Sequence, residues 1–296
     1  MIAIVGASGN TGSVAAERLL AAGERVRAIG RNAGHLERLT SLGAEAFIAD
    51  VTDPAGMTKA FEGASAVYAM VPPNVSEPDV PAYQAKVSDA LAAALAGASV
   101  RKVVVLSSVG ADKPRDTGPV TGLHRLEERL NEVGGVDAVY LRAAYFMENL
   151  LPQVGVIRNF GMMAGPIRAD LPLPMIATRD IGAAAAELLL KPDFTGKLPH
   201  ELLGERDVSY AEVASIVGKA VGKPNLSYTQ LPPAQLHPAL AQMGMSNSMV
   251  DLLLEMAEAL NSGYMVALES RTKRNSTPTS IEDFITEEFL PRFQAA

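Results

Sequence analysis

Three glycines stand at every third position near the start of the chain, Gly6, Gly9 and Gly12, in the stretch Val5-Gly6-Ala7-Ser8-Gly9-Asn10-Thr11-Gly12. The stretch follows a short apolar run and opens a helical one, the context in which such a motif has chemical meaning. A strand must turn sharply at Gly6. At Gly9 the absence of a Cβ lets a pyrophosphate reach backbone N–H groups. At Gly12 it lets the helix lie close on the sheet. The helix N-terminus then offers unpaired donors and a partial positive charge to the phosphates. Ser8, Asn10 and Thr11 add short polar side chains for the same oxygens. The alternative is a glycine-rich turn with no ligand.

A second polar feature ends the next apolar run, Ala28-Ile29-Gly30-Arg31-Asn32. A site that prefers NAD(H) usually carries Asp or Glu here for the ribose hydroxyls. Arg31 instead matches a 2′-phosphate in charge and fork geometry, which favours NADP(H) over NAD(H). A solvated surface arginine is the other reading. Asp50, at the end of the third run, either meets the adenine edge or caps a turn.

Other chemistries are excluded. The chain has no cysteine, so disulfides, thiolate metal sites and cysteine nucleophiles are ruled out. The histidines (35, 124, 200, 237) lack metal-ligand spacing, so no metal site is expected. No G-x-S-x-G elbow is present for a serine nucleophile.

The elements that must position these residues alternate. Strands are expected at 2–5, 25–30, 46–49, 66–71, 102–107 and 138–141. Helices are expected near 11–22, 32–42, after Asp53-Pro54, and at 79–98 and 121–133. All-apolar strands alternating with helices predict an α/β fold, a doubly wound, Rossmann-like parallel sheet covered on both faces. Its ligands bind at the carboxyl ends of the strands.

After about Tyr145 the rhythm breaks, and Pro152, Pro166, Pro172 and Pro174 lengthen the loops. Asp180 is expected to cap a helix to Leu190. Ser209…Glu212 and Thr279…Glu282 have capping-box spacing. Two units follow: residues 1–150, a dinucleotide-binding domain onto which helix 180–190 packs back, and residues 151–296, a smaller α-rich C-terminal lobe. The methionine-rich stretch Met243–Met256 either lines an apolar pocket or forms lobe core or a subunit contact.

Together VGASGNTG, the AIGRN strand end, VVVLSSVGAD at 103–112, LRAAYFMENLL at 141–151 and TPTSIEDF at 277–284 resemble the NmrA-like branch of the atypical short-chain dehydrogenase/reductases. The resemblance runs nearly the whole length, and is loose between about 195 and 270. It implies a dinucleotide fold with a small C-terminal lobe. Members of the branch include NAD(P)H-dependent quinone reductases, a triphenylmethane dye reductase, and redox sensors that bind NADP(H) with little turnover. By position, the resemblance implies that Gly6, Ser8 to Gly12 and Arg31 hold the adenosine and phosphate half. It places Val71, Pro72 and Pro73 along the ribose. Ser107 and Ser108 would lie near the nicotinamide, and Tyr145 and Phe146 would border the nicotinamide and substrate cleft.

The wider superfamily uses Y-x-x-x-K for proton transfer, and none of the seven tyrosines here has lysine four residues on. Many relatives keep a lysine on the helix after the fifth strand; here that helix reads Gly122-Leu-His-Arg-Leu-Glu-Glu-Arg. Hydride delivery to a simple ketone makes a strongly basic alkoxide, so a placed acid matters. Delivery to a quinone spreads charge over a conjugated ring. Its product resembles a phenolate with a conjugate-acid pKa of about 10 by analogy with tyrosine, and needs little proton help. His124 is the remaining candidate catalytic proton donor, unless it is a surface or structural residue. The leading expectation is therefore an NADPH-dependent reductase of a quinone or similar small conjugated acceptor, bound in a cleft between the lobes. The alternative is a non-catalytic NADP(H)-binding sensor. A nucleotide-sugar epimerase or dehydratase is disfavoured by the absent Tyr/Lys pair.

Bulk properties agree with these expectations. With 33 acidic against 26 basic residues, interspersed, nucleic acid is not expected as the main partner. No apolar run approaches the roughly 20 residues of a membrane span, and no basic-then-apolar leader opens the chain. A cytoplasmic protein is expected, and a homodimer is compatible with this reading.

Overall fold

The structure, a computed structural model, describes residues 1–295. The first half runs β1 (Ile2–Val5), α1 (Asn10–Ala21), β2 (Val26–Gly30), α2 (Glu37–Ser41), β3 (Glu45–Ile48), α3 (Pro54–Phe61), β4 (Ala66–Ala69), α4 (Val80–Gly97), β5 (Lys102–Ser108), α5 (Val120–Asn131), β6 (Asp137–Ala143) and β7 (Tyr145–Phe146). The second half runs α6 (Gln153–Phe160), β8 (Met163–Gly165), β9 (Leu173–Ile176), α7 (Thr178–Leu190), β10 (Lys197–Leu202), β11 (Asp207–Val208), α8 (Tyr210–Ala220), β12 (Tyr228–Gln230), α9 (Pro233–Gln242), α10 (Asn247–Asn261), α11 (Ile281–Phe284), a π-helical turn at Ile285–Phe289 and α12 (Leu290–Ala295).

Among the described residues, seven strands form one parallel sheet in the order β3-β2-β1-β4-β5-β6-β10. This is the doubly wound α/β fold expected from the alternation. Strand order reverses between β1 and β4, so a crevice opens at their carboxyl ends. Helices α1 and α7 cover one face, and Ile181, Ala185 and Leu189 of α7 join Ala15, Ala16 and Leu19 of α1 in its core. Helices α3, α4 and α5 cover the other face with Phe61, Leu91, Leu95 and Leu126.

The central strands β1 and β4 are buried along their whole length, which explains their unbroken apolar letters. The outer strands differ from the sequence expectation. In β3, Glu45, Ala46 and Ile48 are exposed because nothing pairs beyond this edge. The seventh strand, β10, comes from the second half and reads Lys-Leu-Pro-His-Glu-Leu. Pro199 is tolerated there because an edge strand leaves one row of backbone groups unpaired.

A separate apolar cluster forms in the second half from α6, α8, α10, α11 and the π-helical turn, with Val213, Ile281, Phe284 and Phe289 at its centre. Ser209 caps α8, accepting from Glu212 N at 3.2 Å, as the box spacing predicts. Two other caps shift. The box before α11 lies one residue later than expected: Ser280 accepts from Asp283 N, while Thr279 is drawn to the Asp180 carboxylate. Asp180 therefore lies inside the first turn of α7. The first amide of that helix, Thr178 N, is met instead by the Glu148 carboxylate at 3.0 and 3.1 Å.

A strap at residues 263–279 is tied to β10, the edge strand of the seven-stranded sheet, and to the turn that follows it. Buried Glu201 on β10 accepts from Leu268 N and Glu269 N. Arg271 donates to the carbonyls of Leu203 and Gly204 and pairs with Asp207.

Candidate functional site

The glycine loop links β1 to α1. Gly6 has φ +66°, a left-handed conformation that a side chain resists, and a Cβ there would fall 2.6 Å from Met70 Sδ. At Gly12 a Cβ would stand 2.4 Å from the Gly6 carbonyl oxygen, so the helix could not lie as close to the loop. Gly9 is different: a Cβ would meet only Gly6 O, at 3.3 Å. The protein's own packing demands glycine at 6 and 12 far more than at 9.

Gly9 is also the N-cap of α1, and no side chain accepts from the first-turn amides. Side chains do cap α3 (Asp53), α4 (Asp79), α8 (Ser209) and α10 (Ser246). The start of α1, like those of α5, α6 and α9, thus leaves its first donors without a side-chain acceptor. Ser8, Gly9 and Asn10 are exposed beside it. Thr11 departs from expectation. Its hydroxyl is buried and accepts from Tyr68 OH at 2.8 Å, so it serves the core and not the loop's outer face.

Arg31 follows β2, exposed and with no ion pair among the described residues. Asp50 accepts from both the amide and the hydroxyl of Thr52 at 2.8 Å. Those bonds first, and the Arg31 and Lys86 charges after them, hold its carboxyl below the usual carboxylate range. Its side chain thus stabilises a turn while contributing negative potential near Arg31.

A cavity of about 880 Å³ opens at the carboxyl ends of β4, β5 and β6. It brings together Val71, Pro72 and Pro73 after β4, Ser107 and Ser108 at the end of β5, and Tyr145 and Phe146 of β7. Met70 belongs to its wall and also lies against Gly6, so it joins the cavity to the glycine loop. Gly6 to Gly12, Arg31 and Asp50 lie outside the lining. The far wall is apolar, with Met245, Met249 and Met256 on and before α10, so the methionine-rich stretch takes its pocket-lining alternative. Met265, Val266 and Ala267 of the strap close another side. Among the described residues, no lysine or histidine lines the cavity; its charged lining is Asp207, Glu269 and Arg271.

Behind the end of β5 lies a buried polar cluster that the sequence reading missed. Ser107 Oγ donates to Glu127 Oε1 at 2.5 Å, and Arg142 grips the same carboxylate with Nε at 3.0 Å and Nη2 at 2.6 Å. The Glu127 bond raises the Arg142 pKa. An arginine inside the apolar run Asp137–Ala143 was the available signal. Ser108 Oγ donates to the Val109 carbonyl at 2.9 Å.

Tyr145 faces Tyr210, with the two hydroxyl oxygens 3.0 Å apart. Burial pushes the Tyr145 hydroxyl up, opposed by hydrogen bonds from Tyr210 and Asn149. Tyr210 in turn stacks on Tyr228, ring centroids 4.5 Å apart.

His124 requires a correction. Its Nδ1 lies 2.8 Å from the Ala111 carbonyl, to which a protonated Nδ1 donates, and its Nε2 is 3.4 Å from Glu128 on the outer side of α5. It does not line the cavity, while its neighbour Leu123 does. Helical geometry turns consecutive side chains about 100° apart, so Leu123 and His124 face different ways. The imidazole pins a loop and is not placed to protonate a ligand.

Among the described residues, no group of three or more potential ligands could hold a metal ion, and no helix is long and apolar enough to cross a membrane.

Comparison with known proteins follows the same lines. The model of the NmrA-like family matches residues 1–287. An NAD(P)H azoreductase of Xenophilus azovorans is 27% identical over 270 residues, covering 90% of each chain. Quinone oxidoreductase 2 of Escherichia coli is 26% identical over 260 residues, 86% of each chain. The crystal structure of the NADPH-dependent quinone oxidoreductase from Escherichia coli, complexed with NADPH, superposes with a TM-score of 0.84 at 24% identity, covering 98% of this chain and 100% of that one.

Proposed function

This chain belongs to the NmrA-like family, and on that premise we propose that it is an NADPH-dependent reductase that delivers hydride to a quinone or a similar flat, conjugated acceptor. The observation that carries the reading is the cavity at the ends of β4, β5 and β6: mostly apolar, joined to the glycine loop through Met70, with Asp207, Glu269 and Arg271 in its wall and, among the described residues, no lysine or histidine. Such a site suits an acceptor whose product is a stabilised anion. It does not suit a simple ketone, whose alkoxide demands a strong acid nearby.

The residues present fit a nicotinamide dinucleotide. A Cβ at Gly9 would meet only one protein atom, the Gly6 carbonyl oxygen at 3.3 Å, and the first-turn amides of α1 have no side-chain acceptor. In this reading Gly6, Ser8, Gly9, Asn10 and Gly12, with the backbone of Thr11, hold the pyrophosphate. Arg31 meets a 2′-phosphate, the basis for preferring NADP(H) over NAD(H). Val71, Pro72 and Pro73 flank the ribose, and Ser107 and Ser108 lie beside the nicotinamide. When bound, the reduced dinucleotide supplies the hydride.

The chain's own part is positioning. Phe146 and the methionines present apolar surface to a planar acceptor and keep water from it. The Glu127–Arg142 pair fixes the Ser107 hydroxyl as a donor to Glu127, which leaves its oxygen able only to accept from a ligand. Holding two reactants in register supplies much of the rate when little proton transfer is needed. Residues 1–150 form the dinucleotide-binding part, and residues 151–296 supply most of the acceptor side.

The relatives named for azo-dye and quinone reduction support a conjugated acceptor. The test is to mix the purified protein with NADPH and a panel of quinones, azo dyes and triphenylmethane dyes. Loss of nicotinamide absorbance with at least one class is expected. NADPH binding by calorimetry with no turnover on any of them would sink the reductase reading and leave a sensor.

A further inference from the structure

Building on the reductase reading, we propose that the Tyr145 hydroxyl is a catalytic hydrogen-bond donor, aimed at the acceptor oxygen on which negative charge gathers as hydride arrives. Tyr145 lies on the cavity wall at the end of the sheet, and Asn149 and Leu173 line the same wall. Its hydroxyl contacts Tyr210 OH at 3.0 Å, a distance that leaves the donor undecided.

The surroundings decide it. Tyr210 is 5% exposed, and among the described residues its hydroxyl touches no polar atom besides Tyr145 OH. Tyr228, stacked on it, spends its own proton on the Ile167 carbonyl at 2.8 Å. A buried hydroxyl that donates to nothing forfeits about 1–3 kcal/mol. Tyr210 must therefore donate to Tyr145. The Tyr145 oxygen then accepts, as it does from the Asn149 side chain, and its own hydrogen is left for a partner on the cavity side. Tyr210 is not part of the cavity wall, so an acceptor meets only the Tyr145 end of the pair.

The chemistry balances without a proton leaving the tyrosine. Hydride, two electrons and one proton, passes to the quinone and leaves the nicotinamide oxidised. The quinone becomes a hydroquinone monoanion with charge on oxygen, to which Tyr145 donates a hydrogen bond. Water protonates that oxygen as the product leaves. A phenol and a hydroquinone both ionise near pH 10 by the tyrosine reference. Burial lifts Tyr145 further, so it stays protonated and acts as a fixed dipole. A triphenylmethane dye gives Tyr145 nothing to stabilise, because hydride adds to a cationic carbon and no oxygen gains charge.

That contrast supplies the test. In the Tyr145→Phe variant, kcat/KM for a benzoquinone should fall about tenfold to a hundredfold, at or below the loss for one donor to a localised oxyanion. The quinone-to-dye ratio of kcat/KM should fall about tenfold or more. A second readout needs no turnover: 4-nitrophenolate, a mimic of the anionic product, should bind the variant about tenfold more weakly when followed by its absorbance. A ratio unchanged within about twofold, or unchanged phenolate binding, overturns the proposal while the reductase reading stands. If the wild type reduces quinones alone, the phenolate titration decides. If it reduces neither acceptor, the reductase reading itself falls and takes the proposal with it.

Discussion

Glu127 on α5 and Arg142 on β6 form a two-point ion pair beneath the end of β5, their side chains only 7% and 12% exposed. Ser107 completes the arrangement by donating to the same carboxylate. Removing one partner strands the other charge out of water. Glu127→Leu or Arg142→Met alone should lower unfolding stability by about 3–5 kcal/mol in urea titrations. The double variant Glu127→Leu/Arg142→Met should lose less than the sum, since neither charge is then left alone. Additive losses would show that the two act independently.

The glycine loop separates two kinds of damage. Gly12→Ala sets a Cβ against the Gly6 carbonyl, so α1 must shift. A stability loss of about 1–3 kcal/mol should accompany weaker dinucleotide binding. Gly9→Ala meets only one atom, at 3.3 Å. It should leave the thermal midpoint nearly unchanged while weakening NADPH about tenfold or more by calorimetry. If Gly9→Ala binds as the wild type does, the phosphates lie elsewhere.

Arg31 stands exposed at the end of β2 with no ion-pair partner among the described residues. A charge-assisted bond to a phosphate is worth about 1.5–3 kcal/mol. Arg31→Ala should therefore weaken NADPH roughly tenfold to a hundredfold and leave NADH within about threefold. Added salt should shrink the difference. Equal losses for both coenzymes would make Arg31 a bystander.

Burial raises the hydroxyl pKa of Tyr68, Tyr140, Tyr145, Tyr210 and Tyr228. The unfolded chain releases these protons near pH 10, while the folded chain keeps them. In that range the folded state binds more protons, so stability falls as pH rises. The urea midpoint should hold steady below about pH 9 and drop steeply above 10. The ultraviolet signal of phenolate should rise together with unfolding. Early, reversible ionisation of these tyrosines in the folded protein would contradict their burial.

Much of the sheet was readable because burial on both faces leaves a local mark. Stretches such as Ile2–Val5 and 103–106 are apolar throughout, and several helix starts carry their own polar caps. The glycine loop was legible for the same reason, since the left-handed turn at Gly6 and the contacts that Gly9 and Gly12 make with it act within seven residues; only the Met70 contact with Gly6 is distant. Features held by distant partners were not legible. Strand β10 carries Pro199 and Glu201; the glutamate belongs there only because the strap brings two amides to it. Asp180 looked like a cap because the true acceptor, Glu148, is thirty residues upstream. Tyr145 and Tyr210 meet across sixty-five residues that no spacing rule connects. His124 was singled out by its residue type, and only the helix's rotation shows that it faces away from the cavity.

Two residues of the strap, Glu269 and Arg271, both fasten it and line the cavity, while others line the cavity without fastening it. Its anchors are the Leu268 and Glu269 amides on Glu201 and the Arg271 contacts with Leu203, Gly204 and Asp207. Val266, Ala267 and Ser270 line the cavity and hold none of those backbone ties through their side chains. Those three positions are a natural dial for selection or a mutant library: the spectrum of accepted molecules can drift there while the scaffold keeps its shape.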